Sequence, residues 1–357
     1  MKQRNSSFEL LKVIAVVLII FSSALPYGTT YQGGYDKVFV DLTNTSFTGE
    51  HMLMTLFRWF GQIGDTLFIA CSAWFLCDRK KLRLERIGKM VADSWLLSVL
   101  GLSIAFGFIR PGGSEILKSF FPITFQLNWF VGCYILYYLL HPLLNRAIEG
   151  LDRITFKKML ILLVLAYSLV STVYPVFYFT NLVAFVMIHY LVAYIKQYRL
   201  YEYAVKHDAL CILIGALLIL CSIMILNSLG ERLPVVHTRN LVFCKYYNPA
   251  ILLISCGAIC IAAKKSFVAP AINRISSWSL LIYLLHSNHF WITYGKYHLY
   301  NGLMTALECK VFPCVFLVIM IYLVAMPVLS VLYEKSFGRL TGTISKKVIL
   351  SEWLSNI

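Results

Sequence analysis

Apolar stretches long enough to cross a bilayer recur from one end of this 357-residue chain to the other, and lysine and arginine fill every second gap between them. A helix needs about 20 apolar residues to span ~30 Å of hydrocarbon. Such stretches lie near 8–26, 52–77, 91–109, 127–145, 159–176, 178–195, 209–227, 248–263, 276–294 and 311–333. The expected fold is therefore all-α, a polytopic membrane helix bundle of about ten transmembrane helices.

The basic residues orient it. Of 32 Lys and Arg, 22 fall in the alternate gaps that include both ends: Lys2 with Arg4, Arg79 to Lys89, Arg146 to Lys158, Lys196 to Lys206, Lys264 to Arg274, and Lys335 to Lys347. Eight fall in the other gaps, and Lys12 and Arg58 lie inside helices. That asymmetry puts the first set in the cytoplasm and predicts an N-in, C-in topology. It also accounts for the net charge of +15, which anionic headgroups of the cytoplasmic leaflet balance. Nucleic acid is a poor reading of this charge, because no aromatic-interleaved basic stripe is present. Ser22-Ser23-Ala24 after a basic start has the pattern of a signal-peptide cleavage site. Pro26 follows closely, and the run is read as a span.

Most of the ten cysteines, among them Cys71, Cys77, Cys133, Cys211, Cys256 and Cys260, fall in apolar helices, where a thiol behaves as a small hydrophobe. Their spacing is no metal motif, and no metal site is expected. Cys244 and Cys309 fall in outer gaps, where an oxidising exterior would permit a bridge; two free thiols is the preferred reading. The longest polar gaps, Tyr27 to His51 and Gly230 to Asn248, are both expected outside, where they would meet any polar ligand recognised there. No soluble domain or internal repeat interrupts the chain, so one membrane domain is expected over 1–357.

An ionisable residue in the apolar zone is costly and is by default a site hypothesis. The candidates are Glu9 and Lys12, Arg58 with Gln62 and Asp65, Asp93, His141, His189, and His286 with His289. Glu9 and Lys12, three apart, and Arg58 and Asp65, seven apart, each share a helical face. The plain alternative is mutual neutralisation, or snorkelling to the interface for Lys12. Asp93 is close enough to the basic loop before it to form an interfacial ion pair. His141 and His189 read as hydrogen-bonded structure.

These residues fall in a pattern that resembles the bacterial acyltransferase-3 superfamily, multi-spanning enzymes that acylate surface polysaccharides and other acceptors. The opening Arg4-Asn-Ser-Ser-Phe-Glu9-Leu-Leu-Lys12 is similar to the family's first helix, and Gly64-Asp65 to Leu76 to its second. Lys81-Leu-Arg83-Leu-Glu-Arg86-Ile resembles its basic loop before helix 3. Asn128-Trp129-Phe130, with Tyr134, Pro142 and Asn145, resembles helix 4, and Ile282-Tyr283-Leu284-Leu285-His286 the late Tyr-Leu-Ile-His helix. A superfamily says little about substrate.

The resemblance implies an Arg and a His eleven positions apart on helix 1, within ~20° of one face and ~16 Å apart in depth. The imidazole would be the base, as suits a neutral His near pH 7. Here those positions hold Lys12 and Ser23, with Ser22 where many relatives carry a second His. Lys12 keeps the charge without the guanidinium fork. A serine hydroxyl is no general base at neutral pH, so Ser22 or Ser23 would need a neighbouring base, for which His286 and His289 are the candidates.

Two readings follow. In the first, a multi-pass protein of the bacterial cytoplasmic membrane moves an acyl group, expected to be acetyl, from cytosolic acyl-CoA to a hydroxyl of a surface polysaccharide or glycolipid. Acyl-CoA is then a co-substrate, and no bound cofactor is expected. Ser23, His286 and His289 are the catalytic candidates; Glu9, Lys12, Arg58, Arg83, Arg86 and Trp129 are the candidates for binding acyl-CoA or acceptor. The guanidinium fork suits Arg83 and Arg86 to phosphates, although topology alone would also call for a basic loop. In the second, a catalytically impaired relative exports or binds polysaccharide. No Walker-type loop or Ser-His-Asp order points to a third class.

Overall fold

The computed structural model describes residues 5–26, 40–174, 180–203 and 205–348, which form helices and no strands. The basic residues Lys2, Arg4 and Lys37, and residues 27–39 of the first outer segment, lie outside the described residues. In chain order the helices are α1 Ser6–Ala24, α2 Gly49–Leu76, α3 Leu84–Ala105, α4 Gly113–Phe120, α5 Trp129–Ile148, α6 Arg153–Val164 and α7 Ser171–Val173. They continue as α8 Asn181–Gln197, α9 Val205–Gly230, α10 Pro234–His237, α11 Pro249–Lys264, α12 Pro270–Ser277, α13 Ser279–His286, α14 Lys296–Leu307 and α15 Val311–Val348.

Side-chain oxygens start many of these helices by taking up orphan backbone N–H groups. Asn5 accepts from Ser7, Thr48 from His51, Asp152 from Ile154 and Thr155, and Asn248 from Ala250. Five helical runs are long and apolar enough to cross a membrane: Ser6–Ala24, Leu84–Ala105, Arg153–Val173, Val205–Gly230 and Val311–Ser345. Helix falls on each of the ten expected stretches. Among the described residues nine carry a single helical run, counting the π-helical turn Leu165–Val170 that joins α6 to α7.

The ninth stretch is the correction. Instead of one helix over 276–294, the chain stops at His286 and resumes as a π-helical turn, Trp291–Gly295, which runs into α14. Asn288 fills the break: its Nδ2 donates to the Leu97 carbonyl at 3.0 Å, and its Oδ1 accepts from the Phe290 and Trp291 N–H groups at 3.1 and 3.4 Å. Non-helical backbone inside a membrane protein survives only where protein groups satisfy it in this way. The outer loop expected after residue 294 is thus largely helix, and Lys296, expected in that loop, is buried.

The described residues fall into two compact units. The first comprises 5–26, 40–78 and 143–277. Within it, small residues let helices approach closely, the usual device where hydrocarbon gives helix association no hydrophobic drive. A Cβ on Gly64 of α2 would lie 2.5 Å from the Ala15 carbonyl of α1, and one on Gly61 would lie 2.4 Å from Ser22 Cβ. Gly215 of α9 meets the Ala250 carbonyl of α11 in the same way. Trp59, Ile63, Ile219 and Ile251 form one core cluster of this unit; Phe156, Tyr190 and Tyr194 belong to another.

The two segments expected to lie outside also meet in this unit. Asn240 Nδ2 approaches the Leu42 carbonyl at 2.9 Å, Thr55 Oγ1 at 3.0 Å and His51 Nε2 at 3.1 Å, while its Oδ1 accepts from Asn227 at 3.0 Å. Thr45 N–H donates to the His237 carbonyl at 2.7 Å. A donor facing His51 Nε2 requires a neutral ring. Burial accordingly pushes the His51 pKa below its usual 6.5, outweighing the opposing backbone hydrogen bond with Asn44 and the pull of Asp41.

The second unit comprises residues 79–142 and 278–348. Met90 and Leu97 of α3, Val131 and Ile135 of α5, Leu281 and Leu284 of α13 and Tyr333 of α15 share its main core. The 38 residues of α15 span about 57 Å at 1.5 Å per residue, well beyond the hydrocarbon thickness. Near the far end of that helix, Ser345 Oγ donates to the Glu85 carbonyl at 2.8 Å.

Candidate active site

The expected site residues divide between the units. Glu9, Lys12, Ser23 and Arg58 belong to the first, and Arg83, Arg86, Trp129, His286 and His289 to the second.

In the first unit, Lys12 Nζ lies 3.5 Å from both Glu9 carboxylate oxygens and 5.4 Å from the centre of the Phe75 ring. Ser276 Oγ donates to the other side of that carboxylate. This is the mutual neutralisation that the three-residue spacing allows. Ser23 Oγ donates to the Ile20 carbonyl at 3.2 Å, a bond back to its own helix. The neighbouring Ser22 accepts from Arg58 Nη1, which donates to its Oγ at 2.9 Å. Donation into the oxygen orients that hydroxyl, but it takes no proton from it. His189 Nε2 lies 2.8 Å from Asn145 Oδ1, whose amide donates to the Leu76 carbonyl, as befits a structural histidine.

In the second unit, Arg83 and Arg86 are exposed at the first turn of α3, where the positive end of the helix dipole adds to two guanidinium groups. Residues three apart on a helix lie side by side. Asp93, about two to three turns further along, bonds Lys89 at 2.9 Å and the Tyr333 hydroxyl at 3.1 Å, the ion pair expected of it. Trp129 opens α5 and meets Phe130 edge-on at 5.6 Å.

His286 is buried at the last turn of α13. Its Nδ1 lies 2.7 Å from the Ile282 carbonyl. A nitrogen facing a carbonyl carries the hydrogen, which leaves the Nε2 lone pair as the basic position. Tyr283 packs edge-on against the ring at 5.4 Å and is itself 5.3 Å from Phe130. His289 Nε2 lies 4.0 Å from Glu115 Oε1, which also accepts from the Tyr294 hydroxyl at 3.0 Å. Glu115 went unnoticed in the sequence because it lies 174 positions before its histidine, outside any recognisable motif. His141 turns Nδ1 to the Tyr138 carbonyl, in keeping with a structural role.

Leu285 and Asn288, which flank His286 in the sequence, line an apolar cavity of about 770 Å³. Leu97, Gly101 and Trp291 form further wall, and Ile104 and Phe108, both exposed, stand at its edge.

Residues 5–332 match the acyltransferase-domain model of the acyltransferase 3 family. The chain belongs to this family. No curated protein and no solved structure matches it. The matched residues cover the motifs that carry the resemblance, all but Arg4 of the first, and run beyond His286 through most of α15. Family membership together with apolar helices of spanning length makes this a membrane protein of acyltransferase type. With Nδ1 against the Ile282 carbonyl, His286 keeps Nε2 as its basic position.

Proposed function

We propose that this chain is an integral O-acyltransferase of the bacterial cytoplasmic membrane that passes an acetyl group from cytosolic acetyl-CoA to a hydroxyl of a surface polysaccharide or glycolipid. The observation that carries the chemical step is the fixed orientation of His286, whose Nδ1 is occupied by the Ile282 carbonyl. The acceptor hydroxyl gives its proton to Nε2 as its oxygen attacks the thioester carbonyl. The C–S bond then breaks, and the CoA thiolate leaves and takes up a proton. A positioned base of this kind contributes about 10²–10⁴-fold to the rate.

The donor is held from the cytoplasmic side. Arg83 and Arg86 receive the nucleotide phosphates at the start of α3 with forked donors. Leu97, whose carbonyl binds Asn288 beside His286, lies eleven residues further along that helix, or about 16 Å. That is the order of the length of a pantetheine arm. The apolar cavity lined by Leu97, Leu285 and Asn288 suits the hydrocarbon part of a glycolipid acceptor. His289, supported by Glu115, serves as a second polar contact for the acceptor, and Trp129 is a binding residue on the same unit.

A second reading has an observation of its own. Helix 1 holds no titratable base at position 23, and the Ser23 hydroxyl is committed to Ile20, which favours a non-catalytic relative that binds or exports polysaccharide. Transfer of labelled acetyl from acetyl-CoA to surface glycans, in membranes with and without this protein, separates the two. Protein-dependent label supports acyl transfer. Glycan binding or export without label supports the alternative.

A further inference from the structure

We propose that Cys309 and Cys314 form a redox site on the outer face of the membrane, two thiols arranged to close into a disulfide that fastens α14 to α15. Their Sγ atoms are 3.4 Å apart, at contact and little more than 1 Å beyond the ~2.05 Å of a disulfide bond. The chain brings them together at a tight reversal. Glu308 takes a left-handed conformation, φ 49°, that ends α14, and the Cys309 N–H donates back to the Met304 carbonyl at 3.3 Å. α15 begins two residues later and places Cys314 in its first turns. Cys309 is half-buried and Cys314 fully buried. One thiol is therefore reachable and the other waits behind it, the arrangement of an attacking and a resolving cysteine.

The side of the membrane follows from the second unit alone. Ser345, near the far end of α15, binds Glu85 in the basic segment Arg79 to Lys89. That segment is assigned to the cytoplasm by the excess of positive charge. Cys314 and Ser345 are 31 residues apart on one helix, or about 46 Å, more than the hydrocarbon thickness. The cysteine pair thus lies at the opposite, oxidising face, where disulfides persist. The oxidant is a disulfide of the outer compartment. The Cys309 thiolate attacks one of its sulfurs and expels the first thiol. Cys314 then loses its proton, attacks the Cys309 sulfur and expels the second. The protein loses two thiol hydrogens, and one external disulfide becomes two thiols.

The consequence reaches the cavity wall. α14 follows directly on the π-helical turn that carries Trp291, whose Nε1 donates to the Tyr322 hydroxyl of α15 at 2.7 Å. A bridge between residues 309 and 314 holds this helical hairpin closed at its tip. The inference does not depend on acyl transfer and stands if the chain is an exporter.

The test is differential alkylation of the full-length protein. Cells are treated with glutathione disulfide, lysed in denaturant with N-ethylmaleimide, then reduced and labelled with a heavier maleimide. The expected result is heavy label at both Cys309 and Cys314 in most of the protein and light label at the other eight cysteines. In Cys314→Ser, Cys309 should react from outside intact cells with a membrane-impermeant maleimide. Light label at both positions after glutathione disulfide treatment would overturn the proposal. So would a Cys309 in Cys314→Ser that reacts only after the cells are opened.

Discussion

At the scale of single residues, the account turns on which nitrogen and which oxygen are free to react. His286 presents Nε2 because Nδ1 is held by Ile282, whereas Ser23 is bonded to its own helix. His286→Ala should lower acyl transfer by at least ~10²-fold while leaving protein abundance in the membrane unchanged, as read by activity per mole of purified protein. Ser23→His, by contrast, should leave the rate within about threefold, because catalysis already has its base. Arg83→Gln and Arg86→Gln should raise the KM for acetyl-CoA with little change in kcat, since they touch the donor far from the reacting carbonyl. Unchanged KM values would return both residues to a purely topological role. The sequence made Glu9, Lys12, Arg58 and His286 candidates as ionisable residues in apolar stretches, and the three-residue spacing of Glu9 and Lys12 made their pairing legible. Pairings between distant segments were not. Nothing local in the chain connects Glu115 to His289, or Arg58 to Ser22, because those contacts are made by packing and leave no periodic trace.

At the scale of elements, two local devices stand out, one in each unit. Gly101 leaves room for Asn288, and a Cβ at that position would come within 2.5 Å of the amide. Gly101→Ala should therefore push Asn288 off the Leu97 carbonyl and uncap the break after His286. The expected cost is about 1–3 kcal/mol, visible as a lower melting temperature in detergent and a lowered kcat. The second device is the junction of the outer segments at Asn240. Its bond to His51 Nε2 needs a neutral ring, and the folded-state pKa of His51 lies below 6.5. The unfolded chain therefore binds more protons in the window below pH 6.5. Stability from this junction is complete above that pH and falls as the pH drops from 6.5 toward the lowered value. His51→Gln should flatten the acid side of a melting-temperature profile below about pH 6.5; an unaltered profile would remove His51 from this role. The broken ninth helix shows where hydropathy misleads. Residues 276–294 are apolar throughout enough of their length to read as one span, and only the hydrogen bonds of Asn288 reveal why the backbone can leave the helix there.

At the scale of the whole molecule, the claims are orientation and overall activity. Charge asymmetry predicts that both termini face the cytoplasm. A cysteine introduced at position 85 should resist impermeant maleimide in intact cells, while one at position 235 should react; labelling of position 85 from outside would reverse the topology. The helical class and the positions of the apolar segments were readable because hydrocarbon leaves a chain few alternatives. The family was readable because its motifs follow one another in order from Asn5 to His286. Acceptor identity has no such signature, since it is set by side chains drawn from segments far apart. The most direct test of the account is the rate of labelled acetyl transfer from acetyl-CoA to membrane glycolipid and surface polysaccharide by the purified, reconstituted protein and its His286→Ala variant. The account predicts transfer by the wild-type protein and its loss, by ~10²-fold or more, in the variant. Equal rates in the two proteins, or no transfer by either, would contradict it.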